Sequence, residues 1–99
     1  MGMSSAPEPL QDAFELLGRR QALRVVWELS EGPLGFRELQ RASAISSSVL
    51  SQRLRDLSDG NIVESKANQW RLTRQGTSLV ESLGELLPWS KRWARSRSK

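Results

Sequence analysis

Ser46, Ser47 and Ser48 stand in a row, and Ser51, Gln52, Arg53 and Arg55 follow shortly after. Serine hydroxyls do two kinds of chemistry. As nucleophiles they need a general base, and this chain has no histidine and no lysine close to them in sequence. As hydrogen-bond groups they donate to phosphate or read base edges. Glutamine can bond an adenine edge bidentately, and arginine reaches guanine or phosphate. The second chemistry fits this set. The chain also has no cysteine, which excludes disulfides, thiol redox switching and thiolate metal sites. A metal site would need carboxylates alone. Glu8, Asp12, Glu15, Glu28 and Glu31 are spread at helix-surface spacing, with no two paired as an acid/base couple. No enzymatic activity, metal or cofactor is expected.

The serines need an element to present them. Leu50, Leu54 and Leu57 recur at helical spacing and predict a helix over about Ser47 to Ser58, with Val49 beside the apolar stripe. On that wheel Ser47, Ser48, Ser51, Gln52 and Arg55 lie opposite the leucines. The opening turn of such a helix carries free N–H groups and the positive end of the dipole, both of which favour phosphate. Small side chains there let the backbone approach a partner closely. The plainer account is a capped, solvated helix, since serines cap helices widely.

The surroundings decide between the two. Upstream, "FRELQRAS" reads as two helical turns with Phe36, Leu39 and Ala42 inward, and Ser43 to Ser46 offer a turn and a new cap. Downstream, Gly60 sits where a left-handed helix end is wanted. "NIVESKANQWRLT" then changes period. Two short runs, Ile62 to Lys66 and Gln69 to Leu72, flank Ala67-Asn68 and predict a tight hairpin. Earlier, Leu10, Phe14 and Leu17 mark one helix that Gly18 can stop. Arg20 to Ser30 marks another, with Ala22, Leu23, Val26 and Trp27 on its buried side. Gly32-Pro33 ends it, and Leu34 to Phe36 has the character of a short strand. Thr73 can cap a long final helix on which Leu79, Leu83, Leu86 and Trp93 share a face, kinked by Pro88 near Gly84. The order is helix, helix, short strand, helix, helix, hairpin, helix. It is mainly α with a small β-hairpin wing: a winged helix-turn-helix.

At 99 residues the chain supports one domain without a large enclosed pocket. We expect a flexible start over 1–9, the domain over 10–93 with terminal dimerisation helices, and a basic, frayed end over 94–99. No apolar run approaches the roughly 20 residues of a membrane span, and the start lacks the pattern of a secretion signal. The formal charge of +4 is uneven. Residues 1–33 carry three basic and five acidic side chains; 34–75 carry seven and four; 76–99 carry five and two. A polyanion would therefore be met by the last two stretches.

Three pieces resemble the HxlR-type winged helix-turn-helix regulators of bacteria: "LLGRRQALRVVWELSEGPLGFRELQR", "ISSSVLSQRLRDLSDGNIVE" and "WRLTRQGTSLVESLGELLPW". The resemblance implies a homodimeric transcription factor, cytoplasmic and nucleoid-associated, whose partners are double-stranded DNA and a second copy of itself. It puts Ser47, Ser48, Ser51 and Gln52 in the major groove, with Ser46 at the entrance and Arg55 nearby. Arg53 becomes a phosphate contact or a helix-surface pair. Arg37 begins the helix that crosses the backbone, and Lys66 and Arg71 are the basic residues of the wing. Leu10, Phe14, Leu83, Leu86, Trp89 and Trp93 are the expected dimer contacts, whereas Trp27 and Trp70 read as core. The chain departs from the pattern in three places. It has no cysteine for thiol sensing, its wing "SKANQW" is short, and Gln21 stands where a tryptophan is usual. Two other readings share these residues: a winged helix that only pairs with protein, and a divergent MarR-like regulator answering a small-molecule effector.

Overall fold

The computed structural model describes residues 5–98. Among them, α1 (Glu8–Leu17), α2 (Ala22–Glu28), α3 (Phe36–Ser43) and α4 (Ser47–Asp59) precede the hairpin β1 (Val63–Lys66) and β2 (Gln69–Leu72), then α5 (Arg74–Ser82) and α6 (Leu86–Arg97). This is the winged helix-turn-helix order. Of the expected flexible start, Met1 to Ser4 lie outside the described residues, and Glu8 and Pro9 form the first turn of α1, where proline needs no amide partner. At the other end α6 continues to Arg97, and Lys99 lies outside the described residues.

The core is aliphatic. Val25, Val26 and Leu29 of the α2 segment meet Leu39 of α3, Leu50, Leu54 and Leu57 of α4, and Val63 of β1, all nearly inaccessible to solvent. Ile45, in the turn between α3 and α4, joins them. Three residues expected inside lie outside: Leu23, Trp27 and Ala42. Leu23 and Trp27 point outward from α2, and Trp27 is 56% exposed. The segment "ALRVVWEL" is apolar on both sides, and the side with small and β-branched residues (Ala22, Val25, Val26) is the one that fits a core this size. On α3, Ala42 is exposed and Ser43 is buried, its hydroxyl donating to the Leu39 carbonyl at 2.8 Å.

The helix ends follow local chemistry. Glu38 Oε1 accepts from the Gly35 amide at 2.8 Å and fixes the start of α3. Ala44 takes a left-handed conformation and turns the chain into α4. Ser46 caps α4, its hydroxyl oxygen accepting from the Val49 amide. The left-handed residue after α4 is Asn61, not Gly60, whose φ is −83°. Gly60 answers a different need: a Cβ there would run into the Leu16 side chain of α1. Gln21, the departure from the usual tryptophan, is also left-handed and precedes α2.

The hairpin pairs Val63 with Leu72 and Lys66 with Gln69 around Ala67 and Asn68, both at positive φ. That is the mirror-image two-residue turn whose twist suits a hairpin. Leu34 bridges Trp70, so the expected strand at Leu34 to Phe36 is a single ladder step. Trp70 is partly buried against the core. Thr73 caps α5, accepting from the Gly76 amide at 3.0 Å. Beyond it the expected single helix is two. Pro88 lacks an amide hydrogen, and its ring would meet the carbonyl four residues back, at Gly84. The chain breaks at 83–85 and restarts with Pro88 in the first turn of α6. The shared face of Leu79, Leu83, Leu86 and Trp93 is divided accordingly. No helix of the described residues is long and apolar enough to cross a membrane.

Candidate nucleic-acid interface

With Leu50, Leu54 and Leu57 anchored inside, the other side of α4 faces solvent. Ser47, Ser48, Ser51, Gln52 and Arg55 are exposed there, and the capping Ser46 is exposed beside them. Between the start of α4 and α3 runs an open groove of about 810 Å³, edged by Arg37, Gln40, Arg41, Ser46 and Ser47. A second, of about 380 Å³, continues further along the same side of α4, between Ser51, Arg55, Phe36 and Trp70; Phe36 borders both.

Arg37 and Arg41 lie one turn apart on α3, both exposed, and neither takes part in an ion pair among the described residues. Arg41 escaped the sequence reading. The signal was present, because i and i+4 share a helix face. At the hairpin end Lys66 is exposed and free of an ion pair among the described residues. Arg71 is not comparable: its Nε donates to Glu64 Oε2 at 2.7 Å across the strands.

Arg53 is engaged within the molecule. Its NH1 donates to Asp56 Oδ2 at 2.8 Å and its Nε to the Arg20 carbonyl at 2.6 Å, with the side chain 18% exposed. Gln52 donates to Asp56 Oδ1 at 3.0 Å, and Arg19 reaches the same oxygen at 3.0 Å. Arg55 in turn donates to Gln52 Oε1 at 3.3 Å. The Gln52 amide, with the Arg19 and Arg53 guanidinium groups, holds the Asp56 carboxyl below its ordinary value, against the opposing effect of desolvation. Sequence reasoning did not pick out Asp56, whose partners come from two separate regions of the chain.

The expected dimer residues lie on the first and last helices and on the turn between α5 and α6. Leu10 and Phe14 of α1 and Leu86, Trp89 and Trp93 of α6 are exposed, and Leu83 is half-buried. Trp89 and Trp93 stack at 5.6 Å between centroids, and the Arg97 guanidinium sits 4.2 Å above the Trp93 ring. Trp27 and Leu87, also exposed, line with Leu83 and Leu86 a groove of about 520 Å³ between α2, α5 and α6.

The HxlR-like helix-turn-helix family pattern matches residues 16–98. The chain belongs to the HxlR-like helix-turn-helix family. It is therefore a transcriptional regulator of the helix-turn-helix type. Among relatives of this HxlR-like chain, the HTH-type transcriptional regulator YodB of Bacillus subtilis is 31% identical over 98 residues, spanning 91% of this chain and 87% of YodB. The quinone-bound YodB structure superimposes with a TM-score of 0.80 at 30% identity, over 88% of this chain and 99% of that one. A MarR-family protein of Enterococcus faecalis, at 24% identity and a TM-score of 0.77 over 98% and 96% of the two chains, shares the fold.

Proposed function

We propose that this HxlR-like regulator acts as a homodimer on double-stranded DNA in the cytoplasm, on the nucleoid, with α4 of each protomer in the major groove. The observation that carries the reading is the division of α4: three leucines buried, and a serine, glutamine and arginine face exposed. Ser47, Ser48, Ser51, Gln52 and Arg55 read base edges, Ser46 and the opening amides meet phosphate, and Arg37 and Arg41 hold the flanking backbone. Lys66 adds a wing contact from the hairpin. Dimerisation uses the exposed apolar residues of α1 and α6. These helices carry opposite charges, with Glu8, Asp12 and Glu15 on one and Lys91, Arg92, Arg95 and Arg97 on the other. That favours α1 of one protomer against α6 of its partner. Two recognition helices about 34 Å apart then require a roughly palindromic operator.

Gel shifts over a range of salt concentrations test the assignment. Gln52→Ala changes which duplex is preferred, because it removes a base-edge group. Arg37→Ala and Arg41→Ala weaken binding on all sequences and each lower the salt slope by about 1. If all three variants bind like the parent at every salt concentration, α4 is not the reading element.

A further inference from the structure

We propose that Asp56 is a positioning residue for base reading: its carboxylate sets the orientation of the Gln52 amide and ties it to the α1–α2 junction through Arg19 and Arg53. The inference rests on the reading of α4 given above and adds what holds the reading side chain in place.

Asp56 itself is in no position to read a base. Its side chain is 9% exposed and lies behind Gln52, one turn further along α4. Both of its oxygens are occupied. Oδ1 takes Gln52 Nε2 and Arg19 NH1, each at 3.0 Å, and Oδ2 takes Arg53 NH1 at 2.8 Å. Arg53 Nε continues to the Arg20 carbonyl. One carboxylate therefore joins the recognition helix to two consecutive residues of the segment between α1 and α2.

The consequence for Gln52 follows from counting donors and acceptors. A glutamine amide has two N–H donors and an oxygen with two lone pairs. One N–H goes to Asp56, and one lone pair takes the Arg55 guanidinium at 3.3 Å. One donor and one acceptor remain. That is the pair an adenine edge requires, an acceptor for the N6 amino group and a donor for N7. The carboxylate accepts only, so it distinguishes the amide nitrogen from the oxygen and suppresses the flipped arrangement. Without that acceptor only the longer Arg55 contact, at 3.3 Å, would still orient the amide, and the flipped order would reach the groove more often. The side chain would still be present, but its selectivity would fall. Arg19 strengthens the arrangement from outside α4 by holding Oδ1, and it sits on the junction that follows the exposed apolar helix α1.

The test uses the full chain and duplexes it selects from a random pool, with each base pair then replaced in turn and binding measured by competition. The unmodified chain should show one base pair per half-site whose discrimination is lost in Gln52→Ala. Asp56→Asn should lower discrimination at that pair about fivefold or more, with the other pairs little changed. Arg19→Ala should lower it at the same pair, and Arg19→Lys, which keeps the cation, should restore it. In the Gln52→Ala background Asp56→Asn should add nothing at that pair. Thermal melting establishes that each variant is folded. Should Asp56→Asn leave the preference intact, or change binding equally at every position as loss of a negative charge near DNA would, the inference fails while the reading of α4 stands. The same holds if the effect survives in the Gln52→Ala background. An Arg19→Ala variant with the parent's preference removes the tie to the junction. Absence of any salt-sensitive duplex binding by the unmodified chain overturns both.

Discussion

Leu50, Leu54 and Leu57 set which side of α4 meets solvent, and every role given to Ser47, Ser48, Ser51, Gln52 and Arg55 depends on that division. These residues were legible because each lies within one helix, where spacing alone sorts inside from outside. Asp56 was not, because the group it steadies through Arg53 is the Arg20 carbonyl, 33 residues from Arg53 in sequence. Its electrostatics give a pH prediction. The folded-state value is lowered from the ordinary 3.8, so the contribution of Asp56 to stability is complete above that value. It is lost as pH falls through the lower folded value. Denaturant unfolding of the parent and of Asp56→Asn should therefore show the parent more stable at about pH 7, with the difference shrinking towards about pH 2. A difference that does not depend on pH would mean that the carboxylate charge has no part in the network.

Turn chemistry is most exposed at the level of elements. Ala67 and Asn68 both take positive φ, and only asparagine accepts this readily. Ala67→Gly should relieve the strain and stabilise the protein by on the order of 0.5 kcal/mol, visible as a higher denaturant midpoint with an unchanged slope. A lower midpoint would show that the turn tolerates alanine without cost. The hairpin itself was legible from the change of period after Gly60 and from asparagine in the turn. α2 was legible as a helix but not in its rotation. With apolar residues on both sides, its periodicity fits two orientations, and core volume chose the one that leaves Leu23 and Trp27 outside. The left-handed residue after α4 is Asn61, one beyond Gly60, and the glycine is where the Leu16 side chain comes close. The break between α5 and α6 has a cause visible in the sequence, Pro88. Whether a proline kinks or interrupts a helix is set by the packing around it.

Across the whole molecule, two groups of exposed residues differ in composition. The serine face of α4 with Arg37 and Arg41 is polar and basic, whereas α1 and α6 carry exposed Leu10, Phe14, Leu86, Trp89 and Trp93. The proposal gives the first group to DNA and the second to a partner protomer. Replacing Phe14 and Trp93 together by aspartate should halve the mass found by sedimentation equilibrium and weaken binding to a two-half-site duplex by more than tenfold, because linked half-sites bind with a high effective concentration. A double variant that keeps the parent's mass places the dimer contact elsewhere. The central claim, that α4 reads DNA from a two-fold assembly, is tested most directly by selecting duplexes from a random pool with the unmodified chain. Two inverted half-sites centred about 10 base pairs apart should be enriched. Recovery of no enriched sequence, with no salt-sensitive retention of any duplex, would contradict it.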